Sequence, residues 1–168
     1  MTTPADGVVS PPPGFRGIFR TDLPARAVYS EAAGIGRMMP RAIAVPADVE
    51  DIITLIRWAR TEPIPITVRG YGSSMGGGAI GPGVILDVSR LDAIGDVDTE
   101  NRRIKVGPGA IRERVNAVAL EKGLRFPVDP SSGRFCTIGG MVATNAAGAR
   151  TLRFGSTRRW VTSLDCVL

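Results

Sequence analysis

A glycine-rich segment between two short apolar stretches constrains the fold of this chain more than any other feature of its sequence. Residues 70–83 follow a predicted strand at Ile66–Arg69 and lead directly into another at 84–88. A predicted strand at Ala42–Val45 and a helix over 47–60, whose apolar residues recur at helical spacing, precede them. This β-α-β-loop-β order predicts a small parallel or mixed sheet, with the glycine-rich loop leaving the end of a strand.

Shorter elements are predicted on both sides of this unit. Residues 1–14 are rich in proline and predict a disordered arm, and a lead-in over 15–37 contains a short helix over 23–31 that Asp22 or the residue before it could cap. We expect the main domain to begin near Met38. The elements predicted in the second half are a hairpin of strands 94–97 and 103–106, a helix over 110–122, an irregular loop over 127–133, a helix over 137–147 and a strand over 160–168.

Residue types that are absent or rare exclude several classes of chemistry. No histidine occurs among the 168 residues, which excludes Ser-His-Asp and Cys-His catalysis and histidine-based metal sites. The two cysteines, Cys136 and Cys166, are too few for a disulfide framework or a zinc cluster, so we expect a reducing, cytoplasmic compartment and no bound metal. No apolar run reaches the roughly 20 residues that span a bilayer, so no transmembrane segment is expected.

The net charge of +5 comes almost entirely from arginine, which is suited to bidentate contact with phosphate. The arginines are scattered along the chain, and no basic run is interleaved with aromatic residues, which argues against nucleic acid as a partner. A phosphate-bearing small ligand accounts for the charge equally well, as do ordinary surface arginines.

The start of the glycine-rich loop, residues 69–74, has the composition of an anion site. Glycines after a strand let successive backbone N–H groups converge on an anion, and Ser73 and Ser74 add hydroxyl donors. The segment lacks the Gly-Lys-Ser/Thr ending of a Walker loop, and a strand rather than a helix follows it, unlike a Rossmann fingerprint. A flexible surface loop is the alternative, but Arg69 and the paired serines favour an anion site.

The predicted helix that Thr137 can cap is a second candidate site. Gly139 and Gly140 occupy its first turn, where glycine is unfavourable by about 1 kcal/mol relative to alanine. Free N–H groups and the positive end of the helix dipole suit a pyrophosphate there, and close packing of the helix on a sheet is an equally good explanation. Residues 153–155, Arg-Phe-Gly, could close a ligand site but indicate little alone.

In this order, these segments resemble the FAD-binding domain of the vanillyl-alcohol-oxidase or PCMH type, also called the FAD-linked oxidase N-terminal domain. The resemblance runs from about Pro40 to the end of the chain. The residues that carry it are Pro46, 48–52, Pro65, 69–74, Val84–Asp87, 106–109, 129–131, 137–140, 145–148 and 153–155. Each segment is weak alone, but the shared order is specific.

The resemblance implies an α+β, PCMH-type FAD-binding fold of two α/β subdomains, at about 38–92 and 93–168, the second of them C-terminally incomplete. FAD would lie extended between them. The loop at 69–74 would hold the pyrophosphate through its backbone, and a second group would line the ribityl and isoalloxazine side. The cofactor-binding residues that it implies are Arg69, Gly70, Tyr71, Gly72, Ser73, Ser74, Pro130, Ser131, Gly139, Gly140, Asn145, Gly148 and Gly155.

The resemblance is strongest to the D-2-hydroxyacid dehydrogenase branch, which implies hydride transfer from an alcohol or 2-hydroxy acid to flavin N5. Some relatives attach FAD through a histidine where this chain has Ser73, and others through a cysteine near the second site, where we expect Cys136 to be buried instead. We therefore predict noncovalent FAD. Catalytic residues stay unassigned, because the substrate pocket would come from a missing C-terminal domain.

Two other readings remain open from the sequence. One keeps the fold but changes the reaction to that of an FAD-linked oxidase on another alcohol or of a related reductase. The other is a non-catalytic or truncated flavin-binding module. On any of these interpretations the isolated chain, with its incomplete sheet and unfilled cofactor cleft, is expected to be unstable or prone to aggregation.

Overall fold

A four-stranded sheet followed by a separate hairpin organises the computed structural model, which describes residues 9–168. The strands are β1 (Ile18–Arg20), β2 (Ala42–Val45), β3 (Ile66–Arg69), β4 (Val84–Asp87), β5 (Ile94–Asp98) and β6 (Arg103–Val106). The α-helices are α1 (Leu23–Tyr29), α2 (Val49–Thr61), α3 (Arg112–Glu121), α4 (Ile138–Ala143) and α5 (Thr151–Phe154). A short 3₁₀ helix follows at Thr157–Trp160.

The sheet has the order β1-β2-β4-β3, with β2, β4 and β3 parallel and β1 antiparallel to β2. Ala42 at the start of β2 is opposite Val84 at the start of β4, and Arg69 at the end of β3 is opposite Asp87 at the end of β4. The carboxyl ends of the parallel strands therefore meet at one end of the sheet. The loop at residues 70–83 leaves β3 there and runs back to the opposite end to begin β4.

Glycine allows this loop to return flat against β3. A Cβ atom added at Gly81 would lie 2.0 Å from Thr67 Oγ1, and one at Gly83 would lie 2.0 Å from the carbonyl oxygen of Pro65. Real side chains never approach so closely, so both positions require glycine. The returning half of the loop thus uses its glycines for packing, whereas a Cβ added at Gly76 or Gly77 would have no atom within 4 Å.

The N-terminal region is part of the sheet, which corrects two expectations from the sequence. Phe19 in β1 is opposite Ala44 in β2, so the ordered domain begins well before the predicted boundary at Met38. The predicted disordered arm lies partly outside the described residues, but Val9 is buried in the core. Phe19 also packs edge-on against Trp58 at a centroid distance of 6.4 Å, and this burial orders the segment.

Helix ends follow the capping chemistry of the sequence. Asp22 accepts a hydrogen bond from the N–H of Ala25 at the start of α1, and Asp48 does so from the N–H of Asp51 at the start of α2. Asp51 accepts no hydrogen bond from the backbone N–H of Asp48, as the second residue of a capping box would. Its buried carboxylate accepts instead from backbone N–H groups in two other segments, those of Arg16, Gly17 and Ala47, at 3.0, 2.8 and 2.8 Å.

The apolar core forms two clusters of unequal size. The first lies between the sheet and α2, and the second lies between α4 and the loop before it. The buried residues of the first are Val9, Ala42, Ala44, Leu55, Ile64, Val84, Leu86 and Val88, and those of the second are Val128, Cys136 and Met141. The second half therefore buries much less apolar surface, and Phe135 and Leu152 remain exposed.

Two elements of the second half differ from their predictions. The helix predicted over 137–147 ends at Ala143, because Asn145 takes a left-handed backbone conformation with φ of 48°. The strand predicted over 160–168 is absent. A strand needs a hydrogen-bonding partner, and no segment of the chain between residues 9 and 160 pairs with it.

Candidate cofactor site

The first half of the glycine-rich loop presents unused backbone donors at the carboxyl end of the parallel sheet. Within the described residues 9–168, no N–H group of residues 71–76 donates a hydrogen bond. The hydroxyl groups of Ser73 and Ser74, both half-buried, also have no hydrogen-bond partner there. Gly72 has φ of 70°, and successive N–H groups around such a residue form a concave site for an anion. The anion site that the sequence predicts for this loop stays a prediction, and these unpaired donors are compatible with it.

Arg69 lies beneath this loop, and its guanidinium binds backbone carbonyl groups. Its Nη1 donates to the carbonyl oxygens of Glu31 at 2.7 Å and Ala79 at 3.2 Å, with a longer contact to that of Tyr29. The guanidinium carbon lies 5.1 Å from the centre of the Tyr29 ring. Burial lowers the pKa of Arg69 from its ordinary value. A Cβ at Gly72 would lie 2.5 Å from Nη2, so the loop closes over the side chain.

Tyr29 and Asp87 complete a polar cluster below the loop. The Tyr29 hydroxyl donates to Asp87 Oδ2 at 2.5 Å, and Asp87 Oδ1 accepts from the N–H of Ser89 at 2.8 Å. Burial, followed by donation to the Asp87 carboxylate, raises the pKa of Tyr29 to about 12. The hydroxyl therefore stays protonated at neutral pH. It donates a hydrogen bond to the Asp87 carboxylate, which is almost fully buried.

Residues 31–34, named here the clamp segment, contact the glycine-rich loop directly and were not singled out from the sequence. The N–H of Ala33 donates to the carbonyl oxygen of Gly72 at 2.9 Å. A Cβ at Gly34 would lie 2.4 Å from the carbonyl oxygen of Met75. The glycine at 34 is the only sequence signal that could have indicated this close approach.

The N-terminus of α4 meets the same loop but offers few donors. A Cβ at Gly70 would lie 2.4 Å from Thr137 Oγ1, so the two predicted anion segments are in contact. Thr137 caps α4 as predicted, accepting from the N–H of Gly140 at 3.2 Å. The N–H groups of Ile138 and Gly139 donate to backbone carbonyl groups at 2.8 and 2.9 Å. The expectation of free N–H groups here is therefore wrong.

Close packing explains Gly139, as the alternative reading of the sequence proposed. A Cβ at this position would lie 2.8 Å from both Cβ and the carbonyl oxygen of Pro108. Gly140 differs, because it is exposed and the nearest atom to its added Cβ is Thr137 Oγ1 at 3.1 Å. Of the two glycines, only Gly140 leaves room for another group to approach.

Pro130, Ser131 and Gly148, all predicted cofactor contacts, line one open groove of about 550 Å³. A Cβ at Gly148 would lie 1.9 Å from the carbonyl oxygen of Asp129, which presses the segment after α4 against this loop. Arg112, which also lines the groove, forms a 3.2 Å ion pair with Asp129 and donates a 3.0 Å hydrogen bond to the carbonyl oxygen of Val128. Nothing in the sequence around Arg112 indicates this role.

Asn145 and Gly155 shape the chain next to this groove, and neither lines it. Asn145 Oδ1 accepts from the N–H of Arg158 at 2.9 Å, and Gly155 has φ of 75°. A second open cavity of about 570 Å³ lies beside this segment. Its lining residues are Arg125, Ala149, Arg150, Leu152, Arg153 and Phe154.

Cys136 is buried in the second core cluster, as expected from the sequence. Burial raises the pKa of its thiol from the ordinary value. A buried thiol held in its protonated form is a poor nucleophile.

The arrangement has the parts that a dinucleotide cofactor requires. The donor-lined loop at 71–76 suits a pyrophosphate, and the preceding Gly70 contacts Thr137 at the start of α4. The open groove of about 550 Å³ in the second half offers space for a further part of such a molecule. Fold and site together define a nucleotide-cofactor-binding domain.

Comparison with known proteins identifies the family. Residues 40–168 match the family model described as "FAD binding domain", and the chain belongs to this family. Its cofactor is accordingly FAD. The prediction of a PCMH-type FAD-binding fold related to 2-hydroxyacid dehydrogenases is confirmed.

Curated relatives are enzymes that are named for hydroxy acids. The chain is 37% identical over 130 residues to a D-2-hydroxyglutarate dehydrogenase of Xanthomonas citri pv. viticola, covering 76% of this chain and 28% of the relative. It is 34% identical over 128 residues to a D-lactate dehydrogenase of Archaeoglobus fulgidus, covering 75% and 28%. It thus spans less than a third of the length of these relatives.

The solved structure of 6-hydroxy-D-nicotine oxidase from Arthrobacter nicotinovorans has the same fold. It aligns with a TM-score of 0.74 at 23% identity, covering 89% of this chain and 33% of that one. Among the described residues, no helix has the length and apolar character needed to cross a membrane.

Proposed function

We propose that this chain is the FAD-binding portion of a flavin-dependent oxidoreductase that oxidises a 2-hydroxy acid such as D-lactate, glycolate or D-2-hydroxyglutarate. The observation that carries the proposal is the row of unused N–H donors at 71–76 in a chain that belongs to the FAD-binding domain family. The names of the curated relatives support the substrate class.

In this proposal the residues of the chain bind and orient the cofactor. The N–H groups of residues 71–76 and the hydroxyls of Ser73 and Ser74 hold the pyrophosphate, and Pro130, Ser131 and Gly148 lie along the ribityl and ring side. FAD supplies the hydride acceptor for the oxidation. The acid–base residues and the substrate pocket belong to a region beyond this chain.

We propose that FAD is held noncovalently. Ser73 stands where some relatives of this fold type carry the histidine that bonds to flavin, and a serine hydroxyl does not form that bond. Cys136 is buried with a raised thiol pKa, which removes it as an attachment point. A reducing, cytoplasmic compartment is part of the same proposal, and the unpaired state of both cysteines supports it.

The test uses the complete gene product, purified and scanned for flavin absorbance before and after anaerobic addition of D-lactate, glycolate or D-2-hydroxyglutarate. We expect the purified protein to contain FAD, and we expect this FAD to pass through a filter that retains the denatured protein. One of these acids should bleach the absorbance of the bound FAD. A folded protein without FAD would refute cofactor binding. Bound FAD that no alcohol or hydroxy acid reduces would favour a non-catalytic flavin-binding module, and rapid reoxidation by oxygen would favour an oxidase.

A further inference from the structure

We infer that Arg69 and the clamp segment are positioning elements that hold the donor-lined loop in its cofactor-binding shape, and that Arg69 does not itself contact phosphate. This inference rests on the proposed function and assigns a role to residues 31–34, which lie outside the family match at 40–168. It also revises the expectation from the sequence that Arg69 belongs to the anion site.

The contacts of Arg69 connect three parts of the chain beneath the loop. Its Nη1 donates to the carbonyl oxygen of Glu31, which precedes the loop in the chain, and to that of Ala79, which lies in the second half of the loop. The guanidinium also stacks on Tyr29, whose hydroxyl is held by Asp87. The Nη1 donors are thus used by carbonyl groups, and Gly72 covers Nη2, where an added Cβ would lie only 2.5 Å away, so the loop backbone limits the access of an anion to the guanidinium.

The clamp segment, which precedes the loop in the chain, also contacts the loop. The 2.9 Å hydrogen bond from Ala33 to the carbonyl oxygen of Gly72 and the close approach of Gly34 to Met75 fix the two ends of the row of free donors. Because these contacts are with carbonyl groups of the loop, they leave the N–H groups of residues 71–76 unpaired. The contacts therefore hold the loop without consuming any of its donors.

This role predicts that damage to the clamp weakens FAD binding even though the clamp touches no ligand. Gly34→Ala places a Cβ against the backbone of Met75, and Arg69→Met removes the guanidinium. Each is expected to raise the dissociation constant for FAD by about tenfold, the effect of losing one well-formed interaction. Because both act on one loop shape, the double variant should lose far less than the product of the two effects.

Gly36→Ala is the matched control, because its added Cβ meets only the flexible end of Ile80, at 3.2 Å. It should bind FAD as tightly as the parent protein. Arg69→Lys should recover part of the affinity, since an ammonium group can still donate to the Glu31 and Ala79 carbonyl groups. Riboflavin lacks the pyrophosphate, so its affinity should change less than about twofold in every variant.

The measurement is flavin-fluorescence titration of the complete, flavin-free gene product, with thermal melting of each variant as a check on folding. A large loss in Arg69→Met with unchanged binding in Gly34→Ala would overturn the inference and return Arg69 to direct phosphate contact. Unchanged binding in both would also overturn it while leaving the proposed function intact. A parent protein that binds no FAD would refute the proposed function and this inference together.

Discussion

The glycine-rich loop at 70–83 and the N-terminus of α4 are both rich in glycine, and they touch each other at Gly70 and Thr137. They nevertheless use their backbone N–H groups in opposite ways. In the loop, the N–H groups of residues 71–76 have no acceptor within the described chain. At α4, the first N–H groups already donate to the carbonyl oxygens of Ala110 and Pro108 and to the Thr137 hydroxyl. Only the loop has donors to offer a ligand.

This difference shows that glycine content indicates close approach without indicating what approaches. At Gly139 the neighbour is Pro108 of the protein itself, whereas around Gly76 no atom lies within 4 Å of an added Cβ. Asp51 gives a third case, in which one carboxylate fills a set of backbone donors from inside the protein. A full account of hydrogen-bond partners separates these cases.

The largest expected effect is at Asp51, where the chain supplies its own anion. Asp51→Asn leaves at least one of three N–H groups without an acceptor, at a cost of about 1–3 kcal/mol for each unpaired donor. Urea unfolding should show this loss. Asp48→Asn is the control, because asparagine caps helices as well as aspartate does and the exposed ion pair with Arg16 that it removes contributes only about 0–1 kcal/mol, so its unfolding free energy should stay close to that of the parent.

The same carboxylate predicts a dependence on pH. Burial alone would raise the pKa of Asp51, but hydrogen bonds from Arg16, Ala47 and Gly17 together with the nearby guanidinium lower it. Its contribution to stability is therefore complete above the unfolded pKa of about 4 and is lost as the pH falls through the lower folded pKa. Urea midpoints measured from pH 7 to pH 3 should fall less steeply in Asp51→Asn than in the parent, and parallel curves would contradict this assignment.

The second effect compares the two glycine sites directly. Gly139→Ala forces a Cβ against Pro108 and should destabilise the protein by about 1–3 kcal/mol, typical of overpacking. Gly76→Ala has open space and should change the unfolding free energy by less than about 0.5 kcal/mol. Equal melting temperatures for the two variants would mean that α4 is not packed as described.

The helix cap gives a smaller effect. Thr137→Ala removes the acceptor for the N–H of Gly140 and should cost about 0.5–2 kcal/mol in unfolding free energy. Thr137→Ser keeps the hydroxyl and should recover most of this loss. If the alanine variant has the same urea midpoint as the parent, another group must accept the hydrogen bond from the N–H of Gly140.

The smallest effect is expected in the loop itself. Ser73→Ala should leave stability unchanged, because its hydroxyl has no partner within residues 9–168, and should weaken FAD binding by about 0.5–1.5 kcal/mol. Titration with FAD and a thermal melt of the flavin-free protein separate the two quantities. A fall in melting temperature without any change in affinity would reverse the assignment.

The sequence predicted best where local chemistry decides structure. Strands β2 and β3 have their predicted bounds, and Asp22 and Thr137 cap the helices that they were expected to cap. Each of these features depends on a few neighbouring residues, such as an apolar run, a capping side chain or a proline.

Features that depend on distant partners were missed. Strand β1 has only three residues and exists because β2 pairs with it, while residues 161–168 form no strand because no described segment pairs with them. The direction of the Arg69 side chain depends on carbonyl groups of Glu31 and Ala79, which the sequence around Arg69 does not reveal. At α4, the acceptors that occupy its N–H groups come from a segment about thirty residues earlier.

The difference in burial between the two cysteines provides a way to measure how often the second half of the molecule opens. Cys166 is exposed and should react with a thiol reagent at once, whereas Cys136 reacts only when the small core around Val128 and Met141 opens. The delay between the two modifications therefore reports how often this half of the molecule separates from its surroundings. A ligand that bridges the loop and the neighbouring groove would lengthen the delay, so flavin binding could be followed in time without observing the flavin.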